Sequence, residues 1–595
     1  LVTAILQVDA NIDEALDALR FKDVRSTTLE RLWVTWEADA RVQGLSQPLQ
    51  LGEGLYDLLN RVPVPVAAHD LLLGRMPERV PDAAEEAFYR ARLAQWDGRA
   101  IPPWMRDGGH ECFAWDRLLR LGLPGLESYA QEQLDGRLAR GEGGAHGKPR
   151  PRGTWGTRLD YLRGAIRVYQ AFRQYARRYA AAAYEAGLEE AGDLCAHLAE
   201  GPPRTFAEAL QLIWLVGVVY CTMLSQNPTL TFGRLDELLL PFYRRDLAEG
   251  LLTREEAGDL IADFYCKNNL ILGRGEHQMG GASVKDTGWT RNLTYDAPQY
   301  VVIGGQRADG TSAVGASASN DLTALFLERI VPRFENPVIV LRYTPDLPAS
   351  VWRLACEKMR DNASMMVYND ENVIPAMVHA GIAPEDAVTY TMHGCNWPDV
   401  PGVERSVHTR FLVLPQLLLD ALAAMDGEPE GIDEVYGGFR ALVRVEVEAL
   451  AGWLREDRAT WEDRTPGLLR VDDCFLDGPI GRACSWQVGG TRYAPGICAV
   501  SGIATAADSL AALQEYVFRS GQVSLETFRR ALCVDWLGHE ALRRRCLSAP
   551  KFGQDDERAD RHAVHILNMV LDEIDRASHL GGDDPVTVFR CLETD

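Results

Sequence analysis

Through the first 200 residues apolar side chains recur at three- and four-residue spacing, with charged residues on the opposite faces. That period sets one stripe of a helix against a core. It predicts helices over 12–41 and 83–96 and a long Ala- and Tyr-rich helix over 161–198. Residues 134–153, rich in Gly, Arg and Pro, read as an exposed loop, and Pro202 with Pro203 breaks the helical run. From Thr205 the pattern changes. Amphipathic helices at 206–223, 254–268, 321–333 and 350–360 alternate with short β-rich runs at 300–303, 337–343, 365–368, 388–392 and 497–500. Such alternation implies a mostly parallel sheet with helices outside it. A long parallel sheet tends to close into a barrel with its chemistry on loops at one end of the strands. The expected architecture is α/β: a helical layer over 1–204 and a barrel over 205–595, within one large domain.

Composition narrows the function. The 595 residues are 46% apolar and carry a net charge of -23, which argues against nucleic-acid or anionic-membrane partners, since both need basic surface. Twelve Cys are scattered without a Cys-x-x-Cys, the usage of reduced thiols in a cytoplasm. The longest apolar stretch, 210–224, is short for a membrane span and reads as a buried helix. No signal peptide is visible, and the start at Leu1 leads us to expect a few residues before it. His562 and His565 have helical metal-ligand spacing, but without a supporting carboxylate no metal site is expected. No P-loop, dinucleotide turn or Gly-x-Ser-x-Gly elbow occurs.

The most informative segment is a β-branched run ending in Met392-His393-Gly394-Cys395. It resembles the reactive-thiol segment of the glycyl radical enzymes, the family of pyruvate formate-lyase and the diol dehydratases. Further matches fall in order along the chain. They are Gly109-His110 and Gly122; Phe206-Ala207-Glu208-Ala209-Leu210-Gln211; Gly233-Arg234-Leu235-Asp236; Val302-Ile303-Gly304-Gly305 with Asp309-Gly310; Asn336-Pro337 through Arg342-Tyr343; Asn369-Asp370-Glu371; and Gly553-Gln554-Asp555-Asp556 with Asp560. The similarity runs over roughly residues 10 to 580.

The resemblance implies a ten-stranded α/β barrel enclosing two opposed loops. One carries the catalytic Cys, here Cys395; the other carries a Gly that stores a radical installed by a radical-SAM activating enzyme, with no directly bound cofactor. Gly suits a planar backbone radical because it has no side chain, and the chemistry needs an enclosed, dry site. The family's R-V-x-G-[FY] motif is not in this sequence; Ala499-Val500-Ser501-Gly502-Ile503 lacks both the Arg and the aromatic. The C-terminal glycyl portion is therefore expected beyond Asp595 or on a separate glycyl-bearing subunit, unless radical chemistry has been lost. A homodimer is compatible with the resemblance.

Around the thiol the resemblance is uneven. Family members reading G-C-V-E place a proton-exchanging Glu where this chain has Trp397, and an indole cannot exchange a proton near neutral pH. Asn396 excludes the adjacent-Cys pair of pyruvate formate-lyase. By position, His110, Asn396, Trp397, His408, Thr409 and Arg410 are the expected substrate contacts. Arg410 stands where fumarate-adding members hold a carboxylate; an ion pair within the fold, with Glu404 for example, is the alternative. For His110 the alternative is a satisfied core residue. With no Glu at 397, hydrogen abstraction followed by C–C bond cleavage or formation needs the least proton traffic. A dehydratase or decarboxylase drawing its base from elsewhere, and a non-radical barrel protein, stay open. The expected partner is a small organic substrate.

Overall fold

The structure, a computed structural model, describes residues 2–20, 29–77, 82–93, 102–105, 109–142, 156–224, 229–271, 299–307, 319–392, 397–406, 408–427, 429–464, 468–580 and 588–593. It separates into two units: Leu1–Glu404 with Asp463–Arg492, and Arg405–Glu462 with Tyr493–Asp595.

The first unit is built on a five-stranded parallel sheet in sequential order: β1 (Glu111–Cys112), β2 (Leu230–Arg234), β3 (Gln299–Gly304), β4 (Val338–Tyr343) and β5 (Met365–Asn369). Strands β2 and β3 are buried along their whole length, as parallel strands covered on both faces are. Next in the chain comes a two-stranded antiparallel ladder, β6 (Thr391–Met392) with β7 (Pro398–Asp399). Of the run 388–392, only Thr391 and Met392 form strand, because Val388 caps the short helix Pro384–Ala387. β1 and β2 escaped the periodicity because they are short and interrupted by polar residues.

Helices wrap this sheet and share one core with it, so the line drawn at residue 204 does not coincide with the seam between the units. The helix expected over 12–41 is two, Val2–Arg20 and Leu29–Val42. The helix expected over 161–198 is also two, Arg158–Glu185 and Glu189–Leu198. Gly187 separates them with φ 77°, and Leu188 N–H returns to Ala183 O at 2.8 Å, a left-handed helix stop. Helix Trp115–Ala139 runs into the stretch read as a loop at 134 and breaks internally at Gly122, φ 63°; the rest of that loop, 143–153, lies outside the described residues. Helix Asp321–Glu328 ends before 333. The apolar segment is helix Phe206–Val219 continued by a π-turn Tyr220–Leu224, buried throughout; it is long and apolar enough to cross a membrane but forms the centre of the core. Near the N-terminus, buried Lys267 pairs with Asp70 and lies 3.8 Å from Asp263, which accepts from Leu72 N–H at 2.7 Å.

Residues 463–492 return the chain to this first unit. Phe475 packs between Phe113 and Phe172, and Gln47 exchanges two hydrogen bonds with the backbone of Leu469 at 2.8 and 2.9 Å.

The second unit has its own parallel sheet, β8 (His408–Val413), β9 (Gly496–Ser501) and β10 (Val588–Glu593), with β9 in the middle. Leu412, Phe439, Val443, Leu450, Leu510, Ile566 and Val570 are among the side chains of its core. Helices Ile432–Arg464 and Glu557–His579 are clamped by Glu573, whose side chain is bonded by Arg440, Arg444 and Arg576. Gly502, φ 80°, makes the turn from β9 into helix Ile503–Leu513.

Candidate functional site

Three of the motifs that carry the family resemblance, those holding Arg234 and Asp236, Gly304 and Gly305, and Arg342 with Asp370, meet at the carboxyl ends of β2 to β5, the end at which α/β sheets place their chemistry. Asp236 accepts from the N–H of Gly304 at 2.7 Å and from the Thr323 hydroxyl at 2.6 Å, and Arg234 donates to Gly304 O at 2.6 Å. Together they fix the Gly304-Gly305 turn. Gly305 holds φ 87°, and a Cβ there would stand 2.6 Å from Arg342 Nε. Arg342 ends β4 and forks onto Asp370 at 2.9 and 2.7 Å. Asn369 caps the helix Asp370–His379 by accepting from Glu371 N–H at 3.0 Å. Burial pushes the Asp236 carboxyl up to about 6.

Strand β6 leads into the reactive-thiol segment and β7 leads out. The Thr231 hydroxyl donates to Met392 O at 2.6 Å, and the Thr391 hydroxyl donates to Asp399 at 2.8 Å. Both ends of the hairpin are thereby tied down, one to the sheet and one to the other. Cys395 and Asn396, with His393 and Gly394, lie outside the described residues. Past β7, Gly402 donates to Cys112 O at 3.0 Å and accepts from Asp477 N–H at 2.7 Å. Its φ is 72°, and a Cβ would meet Ala114 Cβ at 2.5 Å.

Two expected site residues come together here. His110 has a left-handed backbone, φ 62°, held by its N–H bond to Thr229 O at 2.9 Å. Its ring stacks on Trp397 with centroids 6.2 Å apart and an interplanar angle of 25°. Both side chains are half-buried. An imidazole ring thus lies against Trp397, the position at which family members reading G-C-V-E place a Glu.

The sequence reading missed a buried acidic group beside the hairpin. Asp399 and Glu404 are 1% and 3% exposed, and Glu404 accepts from Val400 N–H at 2.9 Å. Burial, reinforced by the charge of Asp399, pushes the Glu404 carboxyl well up. Burial and the same Asp399 raise the Cys112 thiol, so it stays a thiol. The only linear signal was a pair of carboxylates flanking Pro401-Gly402, and their burial depends on contacts with β1.

The remaining expected contacts lie on β8 in the second unit. His408 and Arg410 point to one face of the strand and Thr409 to the other. His408 Nε2 is 2.7 Å from Asp457, and Arg410 pairs with Glu446, not Glu404. Both pack on Trp453, with the His408 ring at 5.8 Å and the Arg410 guanidinium at 5.4 Å. Among the described residues no three His, Cys, Asp or Glu side chains gather as metal ligands. His562 bonds the Tyr436 hydroxyl, and the His565 ring lies 3.9 Å from Tyr436.

Comparison with known proteins agrees with this layout of motifs. The profile of the pyruvate formate lyase-like family matches residues 78–589. The chain is 28% identical over 460 residues to a probable dehydratase, YbiW, of Escherichia coli (strain K12), covering 70% of this chain and 54% of that protein. It is 26% identical over 488 residues to the (2S)-3-sulfopropanediol dehydratase of Klebsiella oxytoca, covering 76% of this chain and 55% of that protein. The chain thus spans about half the length of the curated relatives it matches. Its fold resembles that of a glycyl radical enzyme from Archaeoglobus fulgidus, with a TM-score of 0.77 at 19% identity, covering 98% of this chain and 81% of that one. The chain belongs to the pyruvate formate lyase-like family, the glycyl radical enzymes, and has their α/β fold.

Proposed function

We propose that this chain forms the substrate-binding and thiol-bearing part of a radical lyase that removes a leaving group from a small hydroxylated molecule. The observation that carries this reading is the His110–Trp397 pair. It places a titratable ring beside the segment whose family Glu is missing, and so provides the base from elsewhere that an elimination requires. The names of the relatives support the same class, since one is a dehydratase and the other a probable dehydratase. A glycyl radical, installed by a radical-SAM activating enzyme in an oxygen-free cytoplasm, would supply the hydrogen-atom acceptor that converts the Cys395 thiol to a thiyl.

The remaining steps fall to this chain. Cys395 takes a hydrogen atom from the hydroxyl-bearing carbon, so an S–H bond forms and a C–H bond breaks. His110 accepts the hydroxyl proton, the adjacent leaving group departs with its electron pair, and a proton returned to it completes water. Cys395 then gives the hydrogen atom back, leaving a carbonyl product with no net oxidation. Asn396 and Trp397 are the proposed contacts beside the thiol.

The test is anaerobic activation of the full-length protein, then a panel of 1,2-diols that includes (2S)-3-sulfopropanediol. An organic radical by spin resonance and an aldehyde product are expected, both requiring the activating enzyme. Cys395→Ala is expected to abolish turnover, a loss of at least about a thousandfold. Turnover that survives this substitution would sink the reading. Trp397, which carries no exchangeable acid, favours C–C bond cleavage or formation as the second reading; a shortened or lengthened carbon skeleton in the product would select it.

A further inference from the structure

Residues 388–390 lead into β6 without a ladder partner, yet their three amides and two of their carbonyls are bonded. The amides turn back onto Pro384, Asp386 and Ala387 carbonyls at 3.2, 2.9 and 3.3 Å. The carbonyls of Val388 and Tyr390 are taken by one side chain, Arg342, at 3.0 and 2.8 Å. Arg342, Asp370 and Tyr390 are all fully buried. The Asp370 carboxylate receives four bonds: two from Arg342, one from the Tyr390 hydroxyl at 2.7 Å and one from Gln306 N–H at 2.6 Å. The Tyr390 ring lies 3.7 Å beneath the guanidinium. The ends of β3, β4 and β5 are thus bolted to the segment that runs, five residues later, into Cys395.

A buried ion pair of this kind adds little net stability compared with apolar packing, but losing one partner is costly and its geometry is highly specific. Only a planar fork reaches two carbonyls and a carboxylate together. We propose that the Arg342–Asp370–Tyr390 cluster is a positioning device that sets where the Cys395 hairpin leaves the sheet, so that these three are positioning residues for the reacting thiol. The inference rests on Cys395 being that thiol.

Two substitutions test it in the full chain. Tyr390→Phe keeps the ring under Arg342 and removes only the hydroxyl bond. Arg342→Lys keeps the charge and removes the fork. In both, amides in peptides spanning 388–399 are expected to exchange roughly tenfold faster, while those over β2, β3 and helix Arg158–Glu185 stay within about twofold of the parent. In the same samples the iodoacetamide alkylation rate of Cys395 is expected to shift by at least about threefold, while the exposed thiols Cys356 and Cys533 keep theirs. Parent-like exchange at 388–399, loosening spread evenly through the first unit, or parent-like alkylation of Cys395 would each overturn the proposal. If Arg342→Lys does not fold, Tyr390→Phe decides alone. Amide exchange does not require turnover, so loss of the positioning effect and loss of radical activity are separable results.

Discussion

His110 carries a backbone cost. An L-residue other than Gly at φ 62° is strained by about 1 kcal/mol, and the preceding Gly109, φ 67°, has no such penalty. Backbone outliers of this kind cluster at functional positions. Comparing two substitutions isolates the backbone term. His110→Gly is expected to be more stable than His110→Ala by about 1 kcal/mol in denaturant unfolding, since both lose the stack on Trp397 and only Ala keeps the strained Cβ. Both are expected to lose turnover. Equal midpoints would mean that the turn relaxes without cost.

At the scale of elements, the β6–β7 hairpin is anchored on its C-terminal side as well as on its N-terminal side. Gly402 brings the chain against Ala114 at the end of β1, so Gly402→Ala adds a contact at 2.5 Å to a left-handed φ. A loss of about 2–4 kcal/mol is expected in chemical denaturation. Gly44→Ala, with φ 88° and nothing within 4 Å, is the control and should cost only about 1 kcal/mol. The strands read from the chain, 300–303, 337–343, 365–368 and 497–500, are the ones whose apolar residues are continuous or β-branched. β1 is two residues long and β8 is polar where His408, Thr409 and Arg410 stand, so neither gives a periodic signal. Motif order along the chain revealed the family, and with it the position of Cys395. Burial stayed hidden: Asp399 and Glu404 become enclosed, and Arg342 binds the backbone at 388 and 390, only once distant segments meet.

For the whole molecule, two sets of carboxyls are expected to respond to acid in opposite senses. In the first, burial raises Asp236 and Asp263 to about 6 from the unfolded 3.8. Between about pH 4 and 6 the folded state holds protons that the unfolded chain has released, so stability falls as pH rises through that window. In the second, burial alone would raise Glu573, but its bonds to Arg444, Arg440 and Arg576 outweigh it and hold the carboxyl at about 2, below the unfolded 4.5. That contribution is complete above 4.5 and is lost as pH falls towards 2. Chemical denaturation across pH 7 to 3, with the parent compared against single variants, should show the Asp236 contribution growing from pH 6 to 4 and the Glu573 contribution fading below 4.5. Asp236→Asn should flatten the first response, and an unchanged slope in that variant would refute the assignment.

The return of residues 463–492 to the first unit also bears on biosynthesis. The partners Gln47 and Leu469 are 422 positions apart, and Phe475 packs on both Phe113 and Phe172. At roughly 5–20 residues per second, translation takes about 20–80 s to cover that interval. From the emergence of Phe172 to that of Phe475 a nascent chain presents an unfilled aromatic face. The second unit's first segment must also emerge before the first unit can close, so a chaperone that shields Phe113 and Phe172 during elongation would act before that closure.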